Sequence, residues 1–272
     1  MILAGVLLKM GTYGFMKLGF PLFPDATRMA APLIAWLSVA SIVYGACLAL
    51  VQTDIKKIIA YSSISHLGYV MLGLASLDLL GIQGAIVQMV SHGLVAAGLF
   101  LMVGMIYERC HTRELAAYGG LAKVLPVYSV FFLILTLASV GLPTTSGFTG
   151  EFLVLMGAFN AAWKPAAVAI PLGAAVLAVT GVVLGALYML WFAQRFLFGA
   201  ERVPHGPVAD LNLREKSILA ILVAAVFWLG LFPDSAMKRT ELAAREYQEL
   251  VAGARAPAAT KLTGAVPAEA AR

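Results

Sequence analysis

The chain has 272 residues, 61% of them hydrophobic and only 12% charged, with a mean hydropathy of +0.90 and a formal net charge of +5. A soluble domain carries about 25% charged residues. The composition therefore excludes an ordinary soluble enzyme and indicates an all-α polytopic membrane protein packed as one bundle. The Lys and Arg are scattered between apolar runs rather than gathered on one face, which argues against a nucleic-acid partner. Cys47 lies in an apolar run and Cys110 in a basic loop. With no CxxC pair, neither a disulfide framework nor an iron–sulfur or zinc site is indicated. No phosphate-binding loop or dinucleotide fingerprint is present, so the chain is expected to hold no cofactor and no metal.

Taken in order, the apolar runs give about seven crossings, since the roughly 30 Å hydrocarbon core needs about 20 helical residues. The first is expected over 1–22, interrupted by Lys9 and Lys17. It opens inside an apolar run with no basic leader and no cleavage site, so the chain is expected to start part-way through a longer protein. A turn over 23–28 leads to a span over 29–51, with Pro32 in its first turn, where proline is tolerated. The third and fourth spans cover 58–76 and 80–107. A charged loop runs from Glu108 to Lys123. A broken span is expected over 124–160, then a turn at Trp163, Lys164 and Pro165. The next span covers 167–191, a polar loop 195–216, and the last span 218–231. The transmembrane bundle thus occupies 1–233. Residues 234–272 read as a polar tail, with an interfacial helix to Val251 followed by a disordered Ala/Pro-rich end.

The second, fourth and sixth connections carry Lys56, Lys57, Arg109, Arg113, Lys123, Arg195, Arg202, Arg214 and Lys216. The first, third and fifth carry only Arg28 and Lys164. The basic loops are therefore expected to face the cytoplasm, and the first span to run outward. The tail then falls outside, against the sign of Lys238, Arg239 and Arg245.

Everything turns on the stretch from Gly141 to Phe152, which separates two apolar runs each too short to span alone. Gly141 and Pro143 end a helix, and Thr144, Thr145, Ser146 and Thr149 can bond the freed backbone groups. Glu151 is expected at the start of the second half-helix, where the macrodipole favours negative charge. A broken apolar helix with an acid at the break suits an ion site at the midplane. Lys9, about 14 residues from the outer end of its span, lies roughly 20 Å deep. His66 and His92 fall near the middles of theirs. Four ionisable groups at one depth are costly unless they face the bundle interior or water. Together they suit a proton relay: burial moves Lys and Glu towards neutrality and His titrates there already. Ser62 and Tyr69 flank His66, and Ser91 and Gln88 flank His92, as stripes able to bond the imidazoles. The same histidines also suit plain interhelical hydrogen bonds. Lys17, Lys56, Lys57 and Lys123 read as topology charges, His111 and His205 as solvated, and Cys47 as packing.

At these residues the sequence resembles the antiporter-like membrane subunits of NADH–quinone oxidoreductase, respiratory complex I, nearest to the subunit M members. The matching stretches are 4–14, 53–68, Ser91-His92-Gly93-Leu94, 107–113 and Gly150-Glu151-Phe152. The resemblance covers nearly all of the chain to about Pro233. It implies a pair of inverted five-helix repeats in a full subunit. This chain would hold the last helix of the first repeat, all of the second and one further helix, making it a C-terminal half. It also implies that Lys9 is a central-axis lysine, His66 and His92 bridging histidines, and Glu151 the acid of the second broken helix. Glu151, where related subunits often carry Lys, favours the subunit M branch.

The activity so implied is proton translocation by a membrane-arm subunit of a translocating NADH:quinone oxidoreductase. NADH, FMN, iron–sulfur clusters and quinone would be used in other subunits. The expected partners are other membrane-arm subunits, the lipid bilayer and protons. The expected location is multi-pass in a bacterial inner membrane, the alanine-rich end fitting a GC-rich source. Lacking the first repeat's broken helix, the chain alone is expected not to couple proton transfer. Two alternatives stay open: a subunit of a multi-subunit monovalent cation/proton antiporter, and a non-pumping scaffold of a hydrogenase-type membrane complex.

Overall fold

A computed structural model of the chain describes residues 2–164, 168–204 and 208–253, all helices and connections. His205 and the Ala/Pro-rich end lie outside the described residues. Helix α1 runs over 3–22 as α-helix at Leu8–Gly14 and Phe20–Leu22, interleaved with π-helical stretches at Leu3–Leu7 and Phe15–Gly19. It is followed by α2 (Pro24–Leu50), α3 (Ile55–Ala75), α4 (Leu79–Cys110), α5 (Pro126–Val140), α6 (Ser146–Trp163), α7 (Leu172–Leu197), α8 (Leu213–Leu231) and α9 (Asp234–Ala252). Four single helices, α2, α3, α4 and α7, are long and apolar enough to cross a membrane alone. Taking α8 with α9, which meet at a 69° bend, as one span gives up to five among the described residues by length and composition, against about seven expected from the sequence, which counted α1 and the α5–α6 pair as well.

Several boundaries differ from the sequence reading. The expected turn over 23–28 shrinks to Phe23, because Pro24 takes the first helical position with its φ already helical and Asp25 follows in the first turn. Pro32 consequently sits inside α2 rather than in its first turn. α7 starts at Leu172, after Pro171, and runs six residues past the expected end. α8 starts at Leu213 because Asn212 and Glu215 form a reciprocal capping box. Its charged first turn hid that start from an apolarity reading. Cys47, expected to pack inside, is exposed on α2.

Burial separates the centre from the rim. In the most apolar stretch of α3, 72% of residues are buried, against 39% in α2 and in α7, so α3 is central and the other two carry lipid-facing surface. Leu33, Leu37 and Tyr44 of α2 and Val183, Leu187 and Leu190 of α7 form that outward surface. A close backbone crossing joins α4 to α6. A Cβ added to Gly157 would lie 2.3 Å from Gly81 Cα, and one on Gly84 2.6 Å from Val154 N. Small residues let the two backbones touch, as is usual where lipid removes the hydrophobic drive between helices.

The connections on the basic side are pinned to one another. Ile55 N donates to Arg113 O (2.9 Å) and Leu115 N to Thr53 O (2.8 Å). The Asp210 carboxylate accepts from Val127 N (2.9 Å) and Tyr128 N (3.1 Å), capping α5 from a distant loop. The helix expected over 233–251 is α9, which buries Ala244, Tyr247 and Val251. Its Gln248 Nε2 donates to Leu77 O (2.8 Å), and Arg28 Nη1 donates to Ala252 O (3.0 Å), so it is docked on the bundle.

Candidate functional site

The break between α5 and α6 spans five residues, 141–145. Gly141 closes α5 in the left-handed conformation (φ +81°). Gly141 N donates to Ala138 O (3.3 Å) and Leu142 N to Leu137 O (3.1 Å). This paired pattern satisfies two of the orphaned carbonyls at the end of α5. Thr145 Oγ1 donates to Leu142 O (2.7 Å), and Ser91 Oγ donates to Ser146 Oγ (2.8 Å). Of the four hydroxyls expected to bond freed backbone groups, Thr145 does so, while Ser146 instead ties the break to α4.

Glu151 is buried, 6% exposed, and points into the bundle. It does not sit at the start of the half-helix: α6 begins at Ser146, and no acid occupies its first turn. The macrodipole effect fades within that turn, so the expected dipole contact does not hold the carboxylate. Side chains hold it instead. Glu151 Oε1 lies 2.8 Å from His66 Nδ1 of α3 and accepts from Gln88 Nε2 of α4 at 3.1 Å. With Glu151 ionised, His66 must carry its proton on Nδ1. Its Nε2 is then an acceptor, and the Ser139 hydroxyl of α5 lies 3.4 Å from it.

The His92 ring lies 5.0 Å from the His66 ring, centroid to centroid. These groups, with Ser91, Val95, Ala138 and Gly147, line a small cavity of about 10 Å³, roughly the room of one water. Gln88 Oε1 and His92 Nδ1 are buried with no hydrogen-bond partner among the described residues. Three of the four ionisable residues singled out from sequence are thus brought together at the helix break. Lys9 is also buried, 8% exposed, but lines a different space. That space is an apolar groove of about 670 Å³ between α1 and α4, walled by Met89, Val90, Gly93 and Leu94. Thr12, one turn along from Lys9, donates to Met89 Sδ at 3.2 Å. Lys9 and His92 therefore lie on helices in direct contact, with His92 joining the cavity around Glu151.

The flanking stripes act differently from the sequence expectation. Ser62 donates to Ile59 O of its own helix (2.8 Å), and Tyr69 OH to Ala178 O of α7 (2.9 Å). Neither bonds an imidazole. Gln88 serves Glu151 rather than His92. The hydroxyl that reaches His66, Ser139, was missed, since nothing in an apolar run marks one serine as facing a neighbour. Lys17, Lys56, Lys57, Lys123 and His111 are exposed.

An all-helical bundle of apolar spans around a broken helix that carries a buried acid is the architecture of an antiporter-like, multi-pass membrane protein. A family model described as "NADH:quinone oxidoreductase/Mrp antiporter, TM" matches residues 1–178, and the chain belongs to that family. It is 46% identical over 236 residues to "NADH-quinone oxidoreductase subunit M" of Rhodobacter capsulatus, covering 86% of this chain and 44% of the relative. A chain of "Respiratory complex I from Thermus thermophilus with bound NADH" superposes with a TM-score of 0.81 at 34% identity, covering 90% of this chain and 50% of that one. A chain of the Mrp complex from Dietzia sp. superposes at TM-score 0.75 with 22% identity, covering 89% of this chain and 51% of that one, a likeness of fold. The chain spans about half the length of the curated relatives it matches.

Proposed function

We propose that this chain serves in a proton-translocating membrane-arm subunit of an NADH–quinone oxidoreductase, moving protons through Lys9, His92, His66 and Glu151. The observation that carries the reading is the buried His66–Glu151 pair at the helix break, 2.8 Å apart, with the His92 ring 5.0 Å from that of His66 and tilted 36° to it. The 46% identity to a subunit M and the family membership support the same reading. In this proposal residues 1–233 are the bundle: the last helix of a first repeat, a second five-helix repeat and one added helix. Residues 234–272 are a C-terminal extension.

The chemistry follows from the hydrogen-bond polarity. A proton taken up at His66 Nε2 makes the ring cationic, and its Nδ1 proton can then pass to Glu151 Oε1. That leaves a neutral imidazole with the proton on the other nitrogen, and a neutral acid. Reversal of the charge next door drives the proton out again, since the proton affinities of such close sites are coupled. His92 and Lys9 continue the row towards α1. The redox reaction, with NADH, FMN, iron–sulfur clusters and quinone, belongs to other subunits. The protein would lie in a bacterial inner membrane, and the work per proton is about 2.3 kcal/mol per 100 mV.

The test is made in the assembled complex, reconstituted in vesicles with NADH and quinone. Glu151→Gln and Lys9→Ala are each expected to lower the protons moved per NADH while the complex still assembles. Unchanged proton yield in both variants removes the relay. A sodium-dependent proton flux without NADH oxidation would instead favour a cation/proton antiporter, the other half of the family's description.

A further inference from the structure

We infer that Gln88 is a positioning residue whose amide follows the proton on Glu151, donating through Nε2 to the carboxylate and accepting through Oε1 from the acid. The inference rests on the relay reading above. An amide carries a donor and an acceptor at the same end of one side chain, so rotation about its last bond swaps them at nearly constant volume.

Four features of the site fit that motion. Nε2 donates to Glu151 Oε1 at 3.1 Å. Oε1 of the same amide is buried with no partner among the described residues, an unfavourable state for a native acceptor. Residue 150 is glycine, and a Cβ there would lie 2.4 Å from Gln88 Oε1. The absence of a side chain is therefore what leaves space for the amide end. Lastly, Gln88 lines the same small cavity as His66, His92 and Glu151, so the amide has an open side.

In the relay the proton reaches Oε1 from His66 Nδ1, so that nitrogen becomes an acceptor and Gln88 Nε2 is the one donor left facing the new O–H. Turning the amide relieves that donor-to-donor contact. After turning, its orphaned oxygen gains the acid proton as donor. In this way each protonation state of Glu151 has a matching amide orientation, and the acid can load without leaving a repelling donor beside it. The ionisable groups facing the acid are His66 and Tyr69 from α3, His92 from α4 and Tyr188 from α7. Lys9 lies beyond His92 on α1.

The experiment is infrared difference spectroscopy of the full chain in lipid nanodiscs across a pH titration. Glu151→Gln identifies the acid's carboxyl band, and Gln88→Met identifies the amide band. The expected result is that the Gln88 amide band shifts with the same midpoint as the Glu151 carboxyl. Gln88→Met should raise the proton affinity of Glu151 by about tenfold, the excess of a hydrogen bond to a charged carboxylate over one to the neutral acid. Gln88→Asn, which keeps the amide but shortens its reach, should raise it as well and keeps a polar end at the site. An amide band that stays fixed through the Glu151 midpoint overturns the inference and leaves the relay standing, as does an affinity unchanged within twofold in both variants. A Glu151 carboxyl that never changes protonation sinks both.

Discussion

Two carboxylates in this molecule, Glu151 buried and Glu215 part-buried, are held in opposite ways. Glu215, at the basic rim, receives Arg109 Nη1 at 3.0 Å and Nη2 at 2.7 Å, a bidentate clamp. Arg109 also donates to Met105 O and Ala209 O, so the pair ties α4, α8 and the preceding loop together. Glu151, at the helix break, has no arginine. Its partners are an imidazole and an amide, both able to exchange donor and acceptor roles. A guanidinium is always charged and offers only donors, so Glu215 stays ionised and serves as architecture. A partner that can reverse its polarity lets Glu151 take up and release a proton. The contrast teaches that low exposure alone does not mark a relay group; the chemistry of what faces it does.

The most damaging way to break this contrast is to separate α6 from α4. Gly157 meets Gly81 backbone to backbone, and Gly150 meets Gln88 in the same crossing. Gly157→Leu should destabilise the bundle by about 3 kcal/mol or more, at the upper end of overpacking costs. Thermal unfolding in detergent or nanodiscs measures it. The same variant should lose the Gln88–Glu151 bond, so the site and the fold fail together. A folded variant of wild-type stability would show that the crossing does not set the position of Glu151.

Arg109→Met and Glu151→Gln sharpen the contrast. Arg109→Met strands Glu215, whose side chain is only 14% exposed, without its guanidinium. Losing hydrogen bonds to a charged, part-buried group costs about 2 kcal/mol. Glu151→Gln keeps the shape and retains an acceptor for Gln88, so it should cost less than about 1 kcal/mol. Function should reverse the order: the stable Glu151→Gln variant lowers coupled proton movement and the weakened Arg109→Met variant retains it. If Glu151→Gln proves the less stable of the two, Glu151 is a structural carboxylate and the contrast collapses.

How far the sequence alone led can be seen from these residues. The break at Gly141 and Pro143 was legible because helix-stopping residues inside apolar runs have few other uses. That His66, His92 and Glu151 would come together was legible because they fall at like positions along neighbouring apolar runs. What was not legible is direction across the bundle. Rotation about each helix axis decided that Gln88 serves Glu151 rather than His92, that Ser139 reaches His66, and that Lys9 opens into a separate groove. The glycines that set the α4–α6 approach gave a usable signal, Gly81 and Gly84 in one helix and Gly150 and Gly157 in the other, but pairing them needs the partner helix to be known. Starts of helices were missed wherever charges occupy the first turn, as at Asn212 to Lys216, because apolar periodicity is blind to caps.

The smallest expected effect completes the scale. Lys123 and Glu201 also form an ion pair on the basic side, 3.4 Å apart, with side chains 70% and 57% exposed. Solvent screens such a pair, and holding two long side chains in one geometry offsets most of the attraction. Lys123→Ala should therefore change stability by less than about 0.5 kcal/mol and leave proton movement untouched. Melting curves measured at low and high salt provide the check. A loss comparable to that of Arg109→Met, and relieved by salt in neither case, would mean that exposure is a poor guide to which charges hold this rim together. The clamp at Glu215 would then owe its strength to the loop backbone around it rather than to the guanidinium fork.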